Sequence, residues 1–258
     1  MPPNLATAPA PPRPRSPGRS AERILSRLLP NLPAVLLALC CGPATAQVAG
    51  RLGLQSDYVV RGASVTQNRP TAGLDLSYDF PSGVYLSGST LGAVPAHGDL
   101  GFVGLIGDIG YAKRLNLDLS IDGGVTRTEY IYVGQYGYSR GYTEIYGGLG
   151  SRHLSGRLYF SPDYYRSGAR TLYGELSGNI GFVAGIRLNA HLGALEYLEQ
   201  PAGLPPARPQ YDWLVGASRQ LGAFDLRLAV SGGGPSQPFL YYQPHAKTQV
   251  VVGAGFTF

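Results

Sequence analysis

The chain has 258 residues, with 21 Lys and Arg against 16 Asp and Glu. Five Arg and one Glu lie in the first 46 residues, so the other 212 carry 16 basic and 15 acidic side chains, which gives no electrostatic reason to expect nucleic-acid binding. Both Cys, Cys40 and Cys41, also lie in the first 46 residues, which excludes disulfides and Cys-ligated metals from the remainder.

The first 46 residues predict a secretory signal peptide. A basic segment with five Arg precedes a short apolar run from Leu32 to Cys41, and Ala44-Thr45-Ala46 then forms an A-x-A site. We expect export and cleavage after Ala46, which leaves a single domain over residues 47–258. The apolar run is shorter than the roughly 20 residues of a membrane-spanning helix. The Pro-rich stretch before Arg23 leaves open a translation start further along the chain.

Gly and aromatic residues dominate the part of the chain after Ala46. All 18 Tyr, all 8 Phe and the one Trp lie there, together with 35 of the 37 Gly. This Gly content disfavours helices but suits antiparallel strands, in which small residues relieve crowding at bends. No apolar run approaches the roughly 18 residues of a transmembrane helix. A membrane barrel and a secreted β-sandwich both fit this composition.

Alternation of apolar and polar residues predicts about twelve strands, and ten would also fit. The predicted ranges are 50–61, 70–80, 83–91, 101–112, 115–127, 141–151, 156–162, 170–180, 184–195, 210–219, 223–231 and 247–258. Brief turns, such as Pro81-Ser82 and Lys113-Arg114, alternate with longer loops, such as residues 62–69 and 128–140. Outer-membrane barrels have this asymmetry, with short turns in the periplasm and long loops outside. We therefore predict an all-β, up-and-down antiparallel barrel that spans the outer membrane of a Gram-negative bacterium.

The two faces of the predicted strands differ in polarity. We assign one face to lipid, with Leu52, Leu54, Tyr58, Val60, Leu74, Leu76, Tyr78, Phe80, Leu115, Leu117, Leu119, Ile121, Leu158, Phe160, Ile186, Leu188, Leu192, Tyr211, Trp213, Val215, Phe224, Leu226, Leu228 and Val230. We assign the other face to a polar lumen, with Asp57, Arg61, Asp75, Asp79, Asp118, Asp122, Glu144, Arg157, Glu175, Arg187, His191, Asp212, Asp225 and Arg227. Each Arg on the lipid side near mid-bilayer would cost about 2–4 kcal/mol, so charges must face inward.

The predicted lumen has an excess of acidic side chains. With Asp108 and Arg51 added, it contains ten carboxylates and five Arg, which predicts a narrow pore for small solutes or ions with a weak cation preference. The alternative is a lattice of cross-strand Asp–Arg pairs that seals a structural or adhesive barrel. Twelve strands lie between the roughly eight of filled barrels and the roughly sixteen of open channels, so strand number does not decide.

The last predicted strand ends on an aromatic residue. Val250, Val252, Ala254, Phe256 and Phe258 share one face. A closing strand of this kind resembles the signal by which outer-membrane barrels are recognised for insertion. We expect Phe256 and Phe258 to form this insertion signal for the barrel-assembly machinery.

Two short motifs suggest hydrolase chemistry. Gly137-Tyr138-Ser139-Arg140-Gly141 fits the G-x-S-x-G nucleophile elbow, which works only between a strand and a helix, and no helix is predicted after it. His153-Leu154-Ser155 resembles the His–Ser pair of outer-membrane lipid A deacylases, but the turn pattern places it at the periplasmic rim. We therefore expect no enzyme activity and keep an outer-membrane lipid esterase as the least favoured alternative.

We predict no metal or cofactor. His97, His153, His191 and His245 are far apart in the sequence, none forms H-E-x-x-H, and the chain has no P-loop and no dinucleotide fingerprint. The Tyr-rich residues 130–142 fit an interfacial aromatic belt or a sugar-binding loop. The Pro-rich residues 201–209 and 235–244 fit either a constriction or an outer surface. The expected partners are outer-membrane lipid, the assembly machinery and small polar solutes or ions.

One segment resembles a known family. Residues 56–70, SDYVVRGASVTQNRP, followed by Gly73, Asp75 and residues 82–85, resemble the N-terminal signature of TorF-family porins, which are proteobacterial outer-membrane proteins. Weaker similarity continues at residues 142–149, 159–163 and 211–216 and in the closing strand. The acidic stretch that the family tends to carry after its third strand is reduced here to residues 108–111. The resemblance implies a barrel and a channel, and it transfers no functional residues.

Overall fold

The structure, a computed structural model, describes residues 48–66, 68–93, 101–131, 139–165, 167–199, 208–235 and 248–258. Its strands are β1 (Val48–Gln55), β2 (Val59–Val60), β3 (Ala63–Ser64), β4 (Thr71–Asp79), β5 (Val84–Ala93), β6 (Gly101–Arg114), β7 (Ser120–Ile131), β8 (Ser139–Gly150), β9 (Leu154–Ser161), β10 (Arg170–Gly181), β11 (Ile186–Glu199), β12 (Gln210–Leu221), β13 (Phe224–Gly234) and β14 (Gln249–Thr257). A 3-10 turn at Val183–Gly185 precedes β11. Within these ranges no helix has the length and apolarity to cross a membrane.

Twelve of these strands close into an antiparallel barrel. The order around the ring is β1-β14-β13-β12-β11-β10-β9-β8-β7-β6-β5-β4, and β4 pairs with β1 to close it. The last strand meets the first through pairs such as Leu52 with Phe256 and Leu54 with Ala254. Closure pairs both edges of each of the twelve barrel strands described, so none of them is free to pair with another chain. The predicted up-and-down barrel of about twelve strands is confirmed.

The two ends of the barrel differ in the length of their connections. At one end lie Val48, Phe258 and the connections at residues 80–83, 115–119, 151–153, 182–185 and 222–223. At the other end lie the connections at residues 56–70 and 162–169 and the strand ends Ala93, Gly101, Ile131, Ser139, Glu199, Gln210, Gly234 and Gln249. In the sequence, 7 to 14 residues separate the members of each consecutive pair of these strand ends. We call these the turn end and the loop end.

The outside of the barrel is apolar. Leu54, Val215 and Val252 are 64%, 60% and 54% exposed, whereas Asp212 and Asp225, on inward positions of their strands, are 5% exposed. In water such an exposed apolar surface would be unfavourable, at about 25 cal/mol per Å². Transmembrane barrels have this polarity, with lipid outside and polar residues within.

The first strand is shorter than predicted. β1 ends at Gln55 instead of at residue 61, so the assignment of Tyr58 and Val60 to the lipid face is wrong. Asp57 and Arg61 do not belong to a barrel strand either. The segment after Gln55 forms a small sheet of its own, β2 with β3, because Asp57 binds hydroxyl groups further along the same segment.

The predicted strand 115–127 also begins too early. β6 runs through the predicted turn to Arg114, and β7 begins only at Ser120. In the turn between them the backbone N–H groups of Asp118 and Leu119 donate to the Asn116 side-chain oxygen, at 2.9 and 2.8 Å. Asn side chains favour such turns. The turn end therefore holds four residues that we had assigned to strand faces: Leu115, Leu117, Asp118 and Leu119.

Candidate functional site

Between β1 and β4 the chain folds into a small hairpin. β2 and β3 pair through Val59 with Ser64 and through Val60 with Ala63. The turn that joins them is Arg61-Gly62, and both residues have positive φ, 48° and 72°. We call residues 56–66 the inner hairpin.

Asp57 fixes the base of the inner hairpin. Its carboxylate accepts hydrogen bonds from the hydroxyl groups of Ser64 at 2.6 Å and Thr66 at 2.8 Å, and all three side chains are buried. The backbone N–H of Tyr58 donates to the Thr66 hydroxyl oxygen at 3.0 Å, and that of Val65 donates to the Tyr58 carbonyl at 2.8 Å. A buried carboxylate requires such donors because its desolvation is costly.

The tip of the inner hairpin reaches the opposite wall of the barrel. β9 lies six places from β1 in either direction around the ring, so the two strands face each other. The Arg61 guanidinium carbon lies 5.8 Å from the ring centre of Tyr159 on β9. Arg61 Nη2 lies 2.8 and 2.9 Å from the two carboxylate oxygens of Glu144 on β8. The inner hairpin therefore spans the lumen.

Arg61 is surrounded by aromatic rings. Its guanidinium carbon lies 3.9 Å from the ring centre of Tyr173 and 5.2 Å from that of Tyr164. An Arg is always charged, and the faces of aromatic rings attract a cation at such distances. The side chains of Arg61 and Glu144 are only 12% and 4% exposed. We give the name arginine cage to Tyr142, Tyr159, Tyr164, Tyr173 and Glu144.

The turn residue Gly62 fits closely against the wall. A Cβ atom at this position would lie 2.8 Å from the carbonyl oxygen of Gly232 and 2.9 Å from Cα of Gly233, both on β13. Its φ of 72° also lies in the region that other residues rarely adopt. Glycine is therefore required for the tip to rest at this place.

A second connection at the loop end packs beside the inner hairpin. Residues 162–169 join β9 to β10, and the N–H of Tyr164 donates to the carbonyl of Ala169 at 2.8 Å. The rings of Tyr164 and Tyr165 lie 4.8 and 4.7 Å from the ring of Tyr142 on β8. We call the resulting buried group the tyrosine cluster: Tyr130, Tyr142, Tyr164, Ala169, Tyr173, Leu195 and Tyr197.

Toward the turn end the lumen contains cavities with charged walls. One of about 450 Å³ lies against the inner hairpin and is lined in part by Asp108, Glu175, His191 and Asp212. Another, of about 430 Å³, also touches Asp108 and is lined in part by Asp122 and Arg157. A third, of about 340 Å³, is lined in part by Arg51, Asp57, Asp75 and Arg227.

Away from the turn end, where Arg187 lies, each of the four Arg in the described lumen pairs with a carboxylate. The pairs are Arg61 with Glu144 at 2.8 Å, Arg157 with Asp122 at 2.6 Å, Arg227 with Asp225 at 2.8 Å, and Arg51 with Asp225 at 3.1 Å and Asp75 at 3.7 Å. Pairing lowers the cost of holding these charges away from bulk water. It also cancels the positive charge of the lumen locally.

Four other lumen carboxylates are held without an Arg or Lys partner among the described residues. Asp57 has its two hydroxyl donors, Asp108 accepts from the Ser87 hydroxyl at 2.9 Å, and Glu175 accepts from the Tyr159 hydroxyl at 3.1 Å. Asp212 lies 2.9 Å from Nε2 of His191. The described lumen thus retains an excess of negative charge.

The structure places the fourteen predicted lumen residues in three settings. Asp57 and Arg61 lie in the inner hairpin. Asp79, Asp118 and Arg187 lie at the turn end, where Asp118 belongs to a turn and not to a strand face. Nine lie on the lumen side of barrel strands and take part in the contacts above: Asp75, Asp122, Glu144, Arg157, Glu175, His191, Asp212, Asp225 and Arg227.

A family profile covers most of this chain. The profile described as "Bacterial protein of unknown function (Gcw_chp)" matches residues 41–232. The chain belongs to this family. The TorF label that the sequence suggested is not the name of the matching profile, and it stays a proposal. No curated protein sequence matches the chain.

Solved porin structures resemble the Gcw_chp barrel. The NanC porin has a TM-score of 0.50 at 9% sequence identity, with 81% of this chain and 98% of NanC covered. The KdgM porin has a TM-score of 0.48 at 15% identity, with 83% and 99% covered. The COG4313 outer membrane channel from Pseudomonas putida F1 has a TM-score of 0.48 at 15% identity, with 84% and 99% covered. The NanC likeness shows a shared fold alone.

Three side chains of the Gcw_chp lumen have the connectivity of a hydrolase triad. Ser177 Oγ lies 2.9 Å from His191 Nδ1, and His191 Nε2 lies 2.9 Å from a carboxylate oxygen of Asp212. A hydrolase also needs preorganised donors for the oxyanion. Ser177 lies within β10, paired with Ser155 on one side and His191 on the other, so the backbone N–H groups around it belong to the sheet. The network gives the buried Asp212 carboxylate hydrogen-bond partners in His191 and Tyr173.

The motifs that suggested a hydrolase are not assembled in the described residues. His153 lies in a turn, with Nδ1 3.1 Å from the carbonyl oxygen of Asn179, and Ser155 follows on β9. Ser139 begins β8 instead of preceding a helix, while Gly137 and Tyr138 lie outside the described residues. His97 and His245 also lie outside them. Within the described ranges no three His, Cys, Asp or Glu side chains are grouped as metal ligands would be.

Sequence analysis missed the arginine cage. Its rings come from β8, β9, β10 and the connection at residues 162–169, so no linear motif joins them. The Ser177–His191–Asp212 network was missed for the same reason, because it depends on the register of three neighbouring strands. The available signal was Gly62, since an isolated Gly inside a strand-like pattern indicates an irregularity or a close backbone approach.

Proposed function

We propose that this Gcw_chp protein is an outer-membrane channel for small hydrophilic solutes, with a preference for cations, whose narrow lumen is constricted by the inner hairpin. The channel would be exported by the signal peptide at residues 1–46 and would lie in the outer membrane with its turn end in the periplasm. We also propose that it is a TorF-family porin, on the strength of residues 56–70.

The cavity of about 450 Å³ beside the inner hairpin carries this proposal. Its wall includes Asp108, Glu175 and Asp212, three of the carboxylates that have no Arg or Lys partner within the described residues. Rings of carboxylates in a wall of low dielectric attract cations and repel anions. Away from the turn end the described lumen holds eight carboxylates and four Arg, so a cation is the solute that this charge favours.

A sealed structural or adhesive barrel is the second candidate. It is favoured by the inner hairpin and the tyrosine cluster, which together occupy the loop-end half of the lumen. Under this alternative the Arg–carboxylate pairs serve only to neutralise buried charge. The two candidates differ in one observable, because only the channel passes current.

Current recorded across a planar bilayer tests the proposal. Residues 47–258, refolded from detergent, should give discrete conductance steps and a reversal potential of cationic sign in a KCl gradient. The triple variant Asp108→Asn/Glu175→Gln/Asp212→Asn should bring this potential most of the way to zero. Asp79→Asn is the matched control, because Asp79 is exposed at the turn end and should change it little. An anionic reversal potential, or a heat-modifiable barrel that stays silent, would contradict the channel.

The C-terminal residues have an accessory role in the same proposal. Phe256, whose ring centre lies 5.1 Å from that of Phe224, and Phe258 would form the signal read by the assembly machinery. Deletion of Phe258 should then reduce the fraction of protein assembled in the membrane.

We further propose that the barrel is not an enzyme. Ester release from lipid that is abolished by Ser155→Ala would support the esterase alternative instead.

A further inference from the structure

We propose that the arginine cage is a binding site for solutes that carry a guanidinium group, and that Arg61 is its intrachain occupant. The inference deepens the proposed channel function and rests on it, because a solute that replaces Arg61 would release the inner hairpin from the far wall. Solutes of this class would then both open the channel and pass through it.

The cage has the chemistry that recognises a planar, delocalised cation. The guanidinium carbon lies over the Tyr173 ring, 3.9 Å from its centre, and both oxygens of Glu144 lie within 2.9 Å of one terminal nitrogen. The three other rings lie 5.2–5.9 Å from the guanidinium carbon. Guanidinium is weakly hydrated and stacks on aromatic faces, whereas a small ammonium or alkali ion is strongly hydrated and does not. A buried aromatic site therefore selects the guanidinium.

Arg61 occupies the cage imperfectly. Within the described residues its Nη1 is buried and has no hydrogen-bond partner, so one end of the donor set is unused. Its backbone has a φ of 48°, which is unfavourable for a residue with a side chain. A free solute brings the same cation without this backbone strain, so it can compete with the tethered side chain.

The cage is open to the lumen on one side. The cavity of about 450 Å³ is lined by Arg61, Glu144, Tyr159 and Tyr173 as well as by the carboxylates beyond them. A cationic solute in the lumen therefore meets Glu144 and the rings without crossing the barrel wall. The same space can receive the Arg61 side chain when it is displaced.

A second Arg in the lumen provides the contrast. Arg157 pairs with Asp122 and lies 5.5 Å from one ring, that of Tyr146. Its side chain is 42% exposed, against 12% for Arg61. Removal of Arg157 leaves the Asp122 carboxylate, whose side chain is 16% exposed, beside the ring of Tyr146. Removal of Arg61 leaves the Glu144 carboxylate, whose side chain is 4% exposed, among the four rings of the cage. Arg157→Ala is therefore a matched control for Arg61→Ala.

The test measures binding of ethylguanidinium chloride to the detergent-refolded protein by calorimetry, with ethylammonium chloride as the comparison ligand. Arg61→Ala should bind ethylguanidinium at least tenfold more tightly than the unmodified chain or Arg157→Ala does. Ethylammonium should bind at least tenfold more weakly than ethylguanidinium. Adding Glu144→Gln to Arg61→Ala should weaken ethylguanidinium binding at least tenfold. Heat-modifiable migration on gels verifies folding, and Arg61→Gln replaces Arg61→Ala should the latter not refold.

Two results would overturn the inference. One is ethylguanidinium binding to Arg61→Ala that is no tighter than binding to Arg157→Ala. The other is binding to Arg61→Ala that Glu144→Gln leaves unchanged. The binding assay needs no current, so its failure is distinct from failure of the channel. A conducting chain without the binding site refutes only the cage inference, and a silent barrel that binds ethylguanidinium refutes the channel and the opening role but keeps the site.

Discussion

The two halves of the lumen differ in how they are filled. The loop-end half is aromatic and closely packed, with Tyr142, Tyr164 and Tyr173 buried around the guanidinium of Arg61. The turn-end half contains cavities whose walls carry carboxylates such as Asp108 and Asp122. The first combines strand side chains with connections that fold inward, whereas the walls of the second are formed mainly by side chains of the barrel strands.

This difference separates the elements that form the barrel wall from the elements that narrow the lumen. Alternation along the strands produces a closed wall with an apolar outside and a polar inside. The width of twelve strands leaves space that the wall alone does not fill. In this protein the inner hairpin and residues 162–169 occupy that space at one end. Changes in the hairpin should therefore alter conductance, and changes in the turn-end wall should alter selectivity.

Substitution of Gly62 should give the larger effect on conductance. In Gly62→Val the side chain would meet the backbone of Gly232 and Gly233 within 3 Å, so the hairpin tip must leave the wall. Single-channel conductance should rise severalfold while gel migration remains that of a folded barrel. Gly168→Val is the control, since Gly168 has a similar φ of 77° but open space around it, and its conductance should not change. Equal conductances in the two variants would show that the position of the hairpin tip does not limit the current.

Loss of Asp57 should loosen the inner hairpin without a clash. Asp57→Ala removes the acceptor for Ser64 and Thr66, and an unsatisfied buried polar group costs about 1–3 kcal/mol. The hairpin should open about tenfold more often. A single cysteine placed at Val65 in residues 47–258, which otherwise contain no Cys, should then react faster with a thiol reagent.

Asp163→Ala provides the control for this experiment. Asp163 accepts a hydrogen bond from the backbone N–H of Gly168 at 2.9 Å in the connection at residues 162–169, outside the inner hairpin. Its loss should leave the reactivity of the cysteine at position 65 within about twofold of the parent. An unchanged rate in Asp57→Ala would mean that this carboxylate does not hold the hairpin.

The smallest effects should come from single charges in the turn-end wall, and their signs should be opposite. Asp108→Asn removes a negative charge and should lower the cation preference by a few millivolts of reversal potential. Arg51→Gln removes a positive charge and should raise it by a similar amount, while Asp225 keeps its pair with Arg227. Shifts of the same sign in both variants would show that these side chains do not face the conduction path.

The sequence predicted the wall well and the interior poorly. The apolar alternation of Val250, Val252 and Phe256 follows from local periodicity, which a β-strand imposes on its own residues. The same periodicity does not reveal the inner hairpin. Residues 56–61 alternate as a strand would, so the predicted first strand included them. The hydrogen bonds of Asp57 to Ser64 and Thr66 hold this segment as a hairpin. They join residues seven and nine positions apart, and the two-residue period of a strand does not identify such pairs.

The candidate site lay beyond sequence reasoning for a related reason. Strand alternation assigned Asp212, His191, Arg157 and Asp122 to the lumen face, but it did not predict that Asp212 contacts His191 or that Arg157 contacts Asp122. The partner of each depends on strand register, and register depends on the whole ring. Arg61 and Glu144 are 83 positions apart and meet only because the hairpin crosses the barrel.

Constriction of the lumen by the inner hairpin can be tested by removing the hairpin. Gln55 and Thr71 are register partners at the end of β1 and β4, so a two-residue Asn-Gly turn can replace residues 56–70. The account predicts a barrel that still folds and whose single-channel conductance in a planar bilayer is severalfold larger and steadier than that of the unmodified chain. A folded, shortened barrel with unchanged conductance would contradict it.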